Sequence, residues 1–220
     1  MIRTILFDLD GTLLDTAPDL AWALNRLRRE RGHPALPLEA VRPWVSHGSI
    51  GLLRVGFDMG PEDAGFAPLR QRFLDLYQGH LAQETRLFAG MEALLGELEH
   101  RRLGWGVVTN KPGWLTEPLL EQLGLAARAA CVVSGDTTAR RKPDPEPMLY
   151  ACRSVGCHAA ECVYVGDAER DTRAGAAAGM KTLIARFGYI GPDEHPEGWG
   201  ADDMVDTPMD ILAWIERQNA

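Results

Sequence analysis

The chain has 220 residues, a formal net charge of -8, 45% hydrophobic and 25% charged residues. That length and balance fit one large globular domain, or one carrying a smaller insertion, and exclude disordered and collagen-like classes. Net acidity without a Lys/Arg block among aromatics argues against a nucleic-acid surface, and no apolar run reaches a membrane span.

Acidity does not exclude a phosphorylated substrate, because only the field at the site matters. Asp8 and Asp10 interrupt the opening apolar stretch too early for a secretory signal, so a cytoplasmic protein is expected. The four cysteines, Cys131, Cys152, Cys157 and Cys162, form no C-x-x-C pair and match no common zinc spacing. They are expected to be small buried or half-buried thiols in a reducing compartment.

Ile2 to Phe7 is an apolar run with the pattern of a buried strand. It ends in Asp8-Leu-Asp10-Gly11. Alternation along a strand sends Asp8 and Asp10 to the same side, and Gly11 permits a tight turn. Two carboxylates this close need a cation between them or a proton on one.

From Thr16 the period becomes helical. Thr16 with Pro18 reads as a helix start, with the hydroxyl as cap. Leu20, Leu24, Leu27 and Arg31 follow at helical spacing until Gly32-His-Pro34. A short segment from Leu38 to Val45 precedes Ser46-His47-Gly48-Ser49. Further helices run through Leu52, Leu53 and Phe57, and through Leu69, Phe73, Leu76, Tyr77 and His80. This stretch shows no strand signal.

Beyond Arg86 strands and helices alternate. Helical stripes lie at Met91–Leu98, Pro112–Leu123, Pro145–Val155 and Asp171–Ala178. Strand patterns lie at Gly104–Asn110, Cys131–Ser134, Cys162–Asp167 and Lys181–Ala185. A Gly/Pro-rich loop and a terminal helix with Ile211, Leu212, Trp214 and Ile215 close the chain. The alternation predicts an α/β fold, a Rossmann-like parallel sheet with helices on both faces. The helical block interrupts it after the first strand. Residues 1–15 and 84–220 are therefore expected to form the core, and 16–83 an inserted all-helical cap. Ligands in such folds bind outside the carboxyl ends of the strands.

Four motifs stand at those ends. They are Asp8-Leu-Asp10-Gly-Thr12, Thr109-Asn110, Lys142-Pro-Asp-Pro145 and Gly166-Asp167-Ala-Glu-Arg-Asp171. In this order, and over nearly the whole length, the chain resembles the haloacid dehalogenase superfamily, in its phosphoglycolate-phosphatase-like branch. The resemblance implies a phosphomonoesterase in which Asp8 attacks phosphorus and Asp10 is the general acid and base. It implies Mg²⁺ held by Asp8 and Asp167 side chains and the Asp10 carbonyl, with Asp171 as a further or water-mediated ligand. Thr109, Asn110 and Lys142 would hold the phosphoryl group.

The chemistry supports these residue types. A carboxylate attacks an anionic phosphate only if cations and donors offset the charge. All candidate ligands are hard oxygens, which suit Mg²⁺. Asp10 must start protonated to act as acid, and the neighbouring carboxylate is expected to favour that. Thr12 is expected to tighten the turn by bonding locally.

Two departures bear on the class. Ala168 stands where the resemblance leads one to expect serine, removing a hydroxyl near the metal. Asp10 argues against dehalogenase chemistry, and residues 16–83 contain no lysine for a Schiff-base phosphonatase. A phosphosugar mutase shares the motifs and stays open; a non-catalytic binding protein would be expected to lose some.

The leaving group is expected to face the cap, where Arg42, Trp44, Ser46, His47 and Arg54 supply polar and aromatic groups. His33, His80, His100, His158 and His195 are scattered and read as structural or surface residues. Within the branch, the opening through Asn25, the segment Pro43–Ser49, and the tail segments Phe187–Pro192 and Trp199–Asp202 resemble phosphatases of N-acetylmuramic acid 6-phosphate, with phosphoglycolate phosphatases close behind. The expected partner is a small phosphorylated metabolite. Either a monomer or a homodimer is compatible with the sequence.

Overall fold

In the computed structural model, which describes residues 1–220, strand β1 (Thr4–Phe7) lies at the centre of the molecule. In chain order follow β2 (Leu14–Asp15), α1 (Ala17–Glu30), α2 (Leu38–Val41), α3 (Gly48–Phe57), α4 (Phe66–Gln78) and β3 (Arg86–Leu87). Then come α5 (Met91–His100), β4 (Gly104–Val108), α6 (Gly113–Gln122), β5 (Val132–Val133) and α7 (Glu146–Val155). The series closes with β6 (Cys162–Gly166), α8 (Glu169–Ala178), β7 (Lys181–Ala185), β8 (Asp203–Val205) and α9 (Pro208–Asn219).

Six strands form one parallel sheet in the order β5-β4-β1-β6-β7-β8. β1 pairs with β4 on one side and β6 on the other, with Phe7 level with both Val107 and Val165. The chain reverses its direction of growth at β1, so the crevice between the β4 and β6 connections opens there. Burial on both faces explains the near-continuous apolar strands. Ile5 and Phe7 join the larger apolar cluster, while Leu6 joins a smaller one with Val108 and Tyr164. The larger cluster continues from the sheet into the helical block, through Leu24, Leu52 and Phe73.

Five details differ from the sequence reading. The helical block is flanked by a two-residue antiparallel ribbon, Leu14 opposite Leu87 and Asp15 opposite Arg86. Pairs this short carry no periodicity. Strand β8 lies inside what reads as a Gly/Pro-rich loop, and Cys131 precedes β5 rather than opening it. Helix α8 begins at Glu169, two residues before Asp171.

The fifth difference is Thr16. Its hydroxyl does not cap α1 but donates to Asp10 Oδ1 at 2.7 Å. The Ala17 N–H donates to the Tyr189 hydroxyl at 2.9 Å and to Asp15 Oδ1 at 3.3 Å. One turn on, fully buried Asp19 accepts from the Glu84 and Thr85 N–H groups and the Thr85 hydroxyl. That carboxylate ties the exit from the core to the return, satisfying donors that would otherwise be buried unpaired. No helix is long and apolar enough to cross a membrane.

Candidate active site

Because β1, β4 and β6 are adjacent and parallel, their carboxyl ends bring Asp8, Thr109 and Asp167 to one edge. The turn after β1 depends on Gly11, whose φ is +86° and whose missing Cβ leaves room for Asp167 Oδ2. Any side chain there would both strain the backbone and displace that carboxylate.

Asp8 is buried. Its Oδ1 accepts from the Leu9 N–H at 2.7 Å and lies 2.9 Å from Lys142 Nζ. Burial opposes its ionisation, but Lys142 and Arg170 outweigh that and hold the Asp8 carboxyl below its usual range. A nucleophilic carboxylate must be ionised, so this environment suits attack.

Lys142 is fully buried and also meets Asp171 Oδ1 at 2.8 Å. It donates to the Tyr164 hydroxyl at 2.7 Å, which donates onward to the Val108 carbonyl at 2.7 Å. Asp171 Oδ2 accepts from the Ala168 N–H at 3.0 Å, fixing the first turn of α8. Ala168 offers no hydroxyl here, and Asp171 performs the capping alone.

Asp167 is buried beside these groups. Its Oδ2 accepts from Ser46 Oγ at 2.7 Å and from the Tyr189 N–H at 3.0 Å, while Oδ1 is buried without a partner. Burial, with repulsion from Asp8 and Asp171, pushes its carboxyl up to about 7. Carboxylate oxygens of Asp8, Asp167 and Asp171 lie within 4.8 Å of one another. An orphaned oxygen in a repulsive set of hard donors fits a dication, which would neutralise the cluster.

Asp10 stands apart from that cluster. Its Oδ1 takes hydrogen bonds from Thr16 Oγ1 and, at 2.9 Å, from Lys111 Nζ. The sequence reading expects its neighbouring carboxylate to dominate; its direct partners are instead a hydroxyl and an ammonium. Lys111 also donates to the Tyr77 hydroxyl in α4. Thr109 is buried, with its Oγ1 accepting from the Lys111 N–H at 3.2 Å. Asn110 donates to the Lys142 carbonyl at 3.0 Å, and its Oδ1 is buried without a partner. Thr12 Oγ1 likewise has no partner, so the local bond expected of it is absent.

A cavity of about 790 Å³ opens from Asp8 and Asp10 toward the helical block. Thr109, Asn110 and Lys111 line its floor, and His47, Arg54 and Arg70 its far wall. Trp44 and Trp114 face it while remaining 38% and 41% exposed, apolar plates open to a ligand. Arg42 does not line it. Both its terminal nitrogens bind Asp15, at 3.0 and 2.9 Å, and its guanidinium lies 5.4 Å from the centre of the Tyr189 ring. Arg42, expected to bind the leaving group, is here engaged by Asp15, a half-buried carboxylate at the end of the ribbon that it meets bidentately.

A family model of haloacid dehalogenase-like hydrolases matches residues 5–185. The chain belongs to the haloacid dehalogenase-like hydrolases. It is 44% identical to an N-acetylmuramic acid 6-phosphate phosphatase of Pseudomonas putida, over 98% of this chain and 96% of the relative. It is 45% identical to a phosphoglycolate phosphatase of Xanthomonas campestris, over 96% of this chain and 97% of the relative. A crystal structure described as a predicted phosphoglycolate phosphatase from Haemophilus somnus superposes with a TM-score of 0.84 at 26% identity, covering 97% of this chain and 98% of that one. The protein is thus a phosphatase of the haloacid dehalogenase type, on the fold expected for that family.

The sequence reading missed four residues of this phosphatase site. Lys111 follows Asn110 directly, so position alone pointed to it. Arg170, 3.9 Å from Asp8, sits inside a quoted motif without an assigned role. Tyr164 lies three residues before Asp167 in a buried strand, where only topology reveals that its hydroxyl reaches Lys142. Trp114 gave no signal, since an aromatic early in a helix reads as core.

Proposed function

We propose that this protein is a Mg²⁺-dependent phosphomonoester hydrolase that forms an aspartyl-phosphate on Asp8. Its preferred substrate in this reading is N-acetylmuramic acid 6-phosphate, released as N-acetylmuramic acid and phosphate. Asp8, Asp167 and the Asp10 carbonyl would hold the ion, with Asp171 at its margin. Mg²⁺ bound there would supply positive charge that offsets the negative charge of the phosphate and of the carboxylate cluster.

Asp8, ionised and held by Lys142, attacks phosphorus. Lys142 and the Thr109 and Asn110 donors take the charge that develops on the phosphoryl oxygens. Thr16 and Lys111 converge on Asp10 Oδ1 and fix the orientation of its carboxyl group. Asp10 gives that proton to the leaving oxygen, then takes one from the water that cleaves the aspartyl-phosphate.

The observation that carries the substrate is the size and lining of the cavity. Relatives acting on N-acetylmuramic acid 6-phosphate and on phosphoglycolate are about equally similar, so similarity does not separate them. A two-carbon phosphate would leave most of 790 Å³ to water. An N-acetylated, lactylated hexose phosphate fills more of it, places its ring against Trp44 or Trp114, and offers a carboxylate to Arg54 or Arg70. Such a substrate assigns the protein to recycling of cell-wall sugars in the cytoplasm.

A phosphate-release screen tests this, with N-acetylmuramic acid 6-phosphate, phosphoglycolate and common hexose phosphates side by side. A clear preference for the muramic acid ester supports the reading. Equal rates, or a preference for phosphoglycolate, overturn it. Isomer formation without free phosphate would make the protein a mutase instead.

A further inference from the structure

Three of the four cysteines meet at the end of the sheet away from the catalytic carboxylates. Cys152 lies in the last turn of α7, which ends at Gly156 in a left-handed turn with φ +69°. Cys157 follows directly, and its N–H donates to the Cys152 carbonyl at 3.1 Å. A short 3-10 turn at Ala159–Glu161 then delivers Cys162 to the first position of β6. So the spacing Cys152-x4-Cys157-x4-Cys162, which matches no linear zinc pattern, converges through the turn that joins α7 to β6.

The three sulfurs all lie within 4.8 Å of one another, Cys157 to Cys162 at 3.0 Å and Cys152 to Cys162 at 3.9 Å. We infer that these three thiols form a binding site for a single soft metal ion, monovalent copper, in three-coordinate thiolate geometry. A metal–sulfur bond is about 2.3 Å, so three thiolates around one ion stand about 4 Å apart. The Cys152–Cys162 pair already has that spacing, and Cys157 reaches it by a small side-chain rotation.

The donor set selects the ion. Thiolates favour soft metals such as monovalent copper over hard dications. No His, Asp or Glu joins the cluster, so the tetrahedral set preferred by structural zinc is missing a ligand. Cys162 Sγ also donates to the His158 carbonyl at 3.5 Å. Cys152 and Cys162 are buried and Cys157 is half-buried, so the ion has one route in and little competition from water. Binding releases the thiol protons to solvent, as metal–thiolate sites do.

This site is separate from the phosphatase centre. Cys162 opens β6 and Asp167 follows its end, five residues and roughly 16 Å away at strand rise. The inference therefore stands or falls independently of the proposed substrate.

The test uses the reduced full-length protein without oxygen, titrated with monovalent copper held by a coloured chelator. The expected result is one copper withdrawn per chain, with a thiolate-to-copper absorption band and a rise in thermal midpoint. Cys131→Ser should withdraw copper as the wild type does; Cys157→Ser and Cys162→Ser should each lose the withdrawal and the band. Phosphate release by each variant reports that it is folded, and Cys157→Ser decides the matter if buried Cys162→Ser fails that check. Copper left on the chelator by the wild type overturns the inference. So does retention by Cys157→Ser, or a Cys157–Cys162 disulfide found by peptide mapping of the protein as purified, before reduction.

Discussion

Lys111 Nζ stands between the Asp10 carboxylate and the Tyr77 hydroxyl, 2.9 Å from each. One ammonium thus joins the proton-transfer residue of the core to helix α4 of the helical block. Burial opposes its charge, but Asp10 and Tyr77 together raise the Lys111 ammonium above the ordinary lysine range. Lys111→Met should therefore lower kcat by about 10²-fold, the scale of a misplaced general acid, with a smaller change in KM. Tyr77→Phe keeps the charge and loses one hydrogen bond, so its effect should stay near tenfold. Steady-state kinetics on both variants check this; an unchanged kcat in Lys111→Met would remove Lys111 from the mechanism.

The pair Asp8–Lys142 separates chemistry from stability. Asp8→Asn should abolish the acid-stable, radiolabelled phosphoenzyme and lower turnover by at least about 10³-fold. Lys142→Ala should in addition destabilise the fold by about 3–5 kcal/mol, because it strands two buried carboxylates, Asp8 and Asp171. Thermal melts and rapid-quench trapping read the two effects separately.

Asp167 makes a pH prediction. Its folded carboxyl is raised to about 7, above the ordinary value of 3.8, so between those values the metal-free folded state holds a proton that the unfolded chain has released. Stability of the metal-free protein should fall as pH rises from about 4 to about 7, by this group alone, and level off above. Mg²⁺ requires the ionised form, so its stabilising effect should grow over the same window. Melting curves with EDTA and with Mg²⁺ across that range test both signs. EDTA should also abolish turnover, and added Mg²⁺ restore it.

The parts of this molecule that declared themselves in sequence are those where one physical rule acts locally. Strand β1 is apolar because both its faces are covered, and its end is marked by acids no core would keep unpaired. Lys142 is different. Its burial and its bonds to Asp8, Asp171 and Tyr164 depend on four separate segments meeting, and only the resemblance pointed to it. Thr16 shows how a correct local rule loses to tertiary context. A hydroxyl at a helix start is a good cap, but Asp10 lies within reach and takes it, and the Tyr189 hydroxyl, supplied from far along the chain, accepts from the first helical N–H. The cysteine cluster escaped for the same reason, since its spacing has meaning only after the turn between α7 and β6 is built.

Arg42 and Arg54 give opposite predictions. Arg42 is committed to Asp15 at the ribbon, and Arg54 faces the cavity, paired only with exposed Glu62 at 2.9 Å. A surface pair of the second kind contributes little to stability, so Arg54 is free to exchange Glu62 for a substrate carboxylate. Arg54→Ala should leave the melting temperature near that of the wild type. It should raise KM for N-acetylmuramic acid 6-phosphate about tenfold, the scale of one lost charge-assisted hydrogen bond, and leave N-acetylglucosamine 6-phosphate, which lacks the lactyl carboxylate, unaffected. Arg42→Ala should do the reverse. It breaks a bidentate pair that braces the ribbon, costing about 1 kcal/mol once its partial exposure is discounted, and should change KM equally for both sugars. Melting curves and paired KM measurements distinguish the two arginines, and an Arg54→Ala enzyme with unchanged discrimination between the sugars would assign the carboxylate to another residue of the wall.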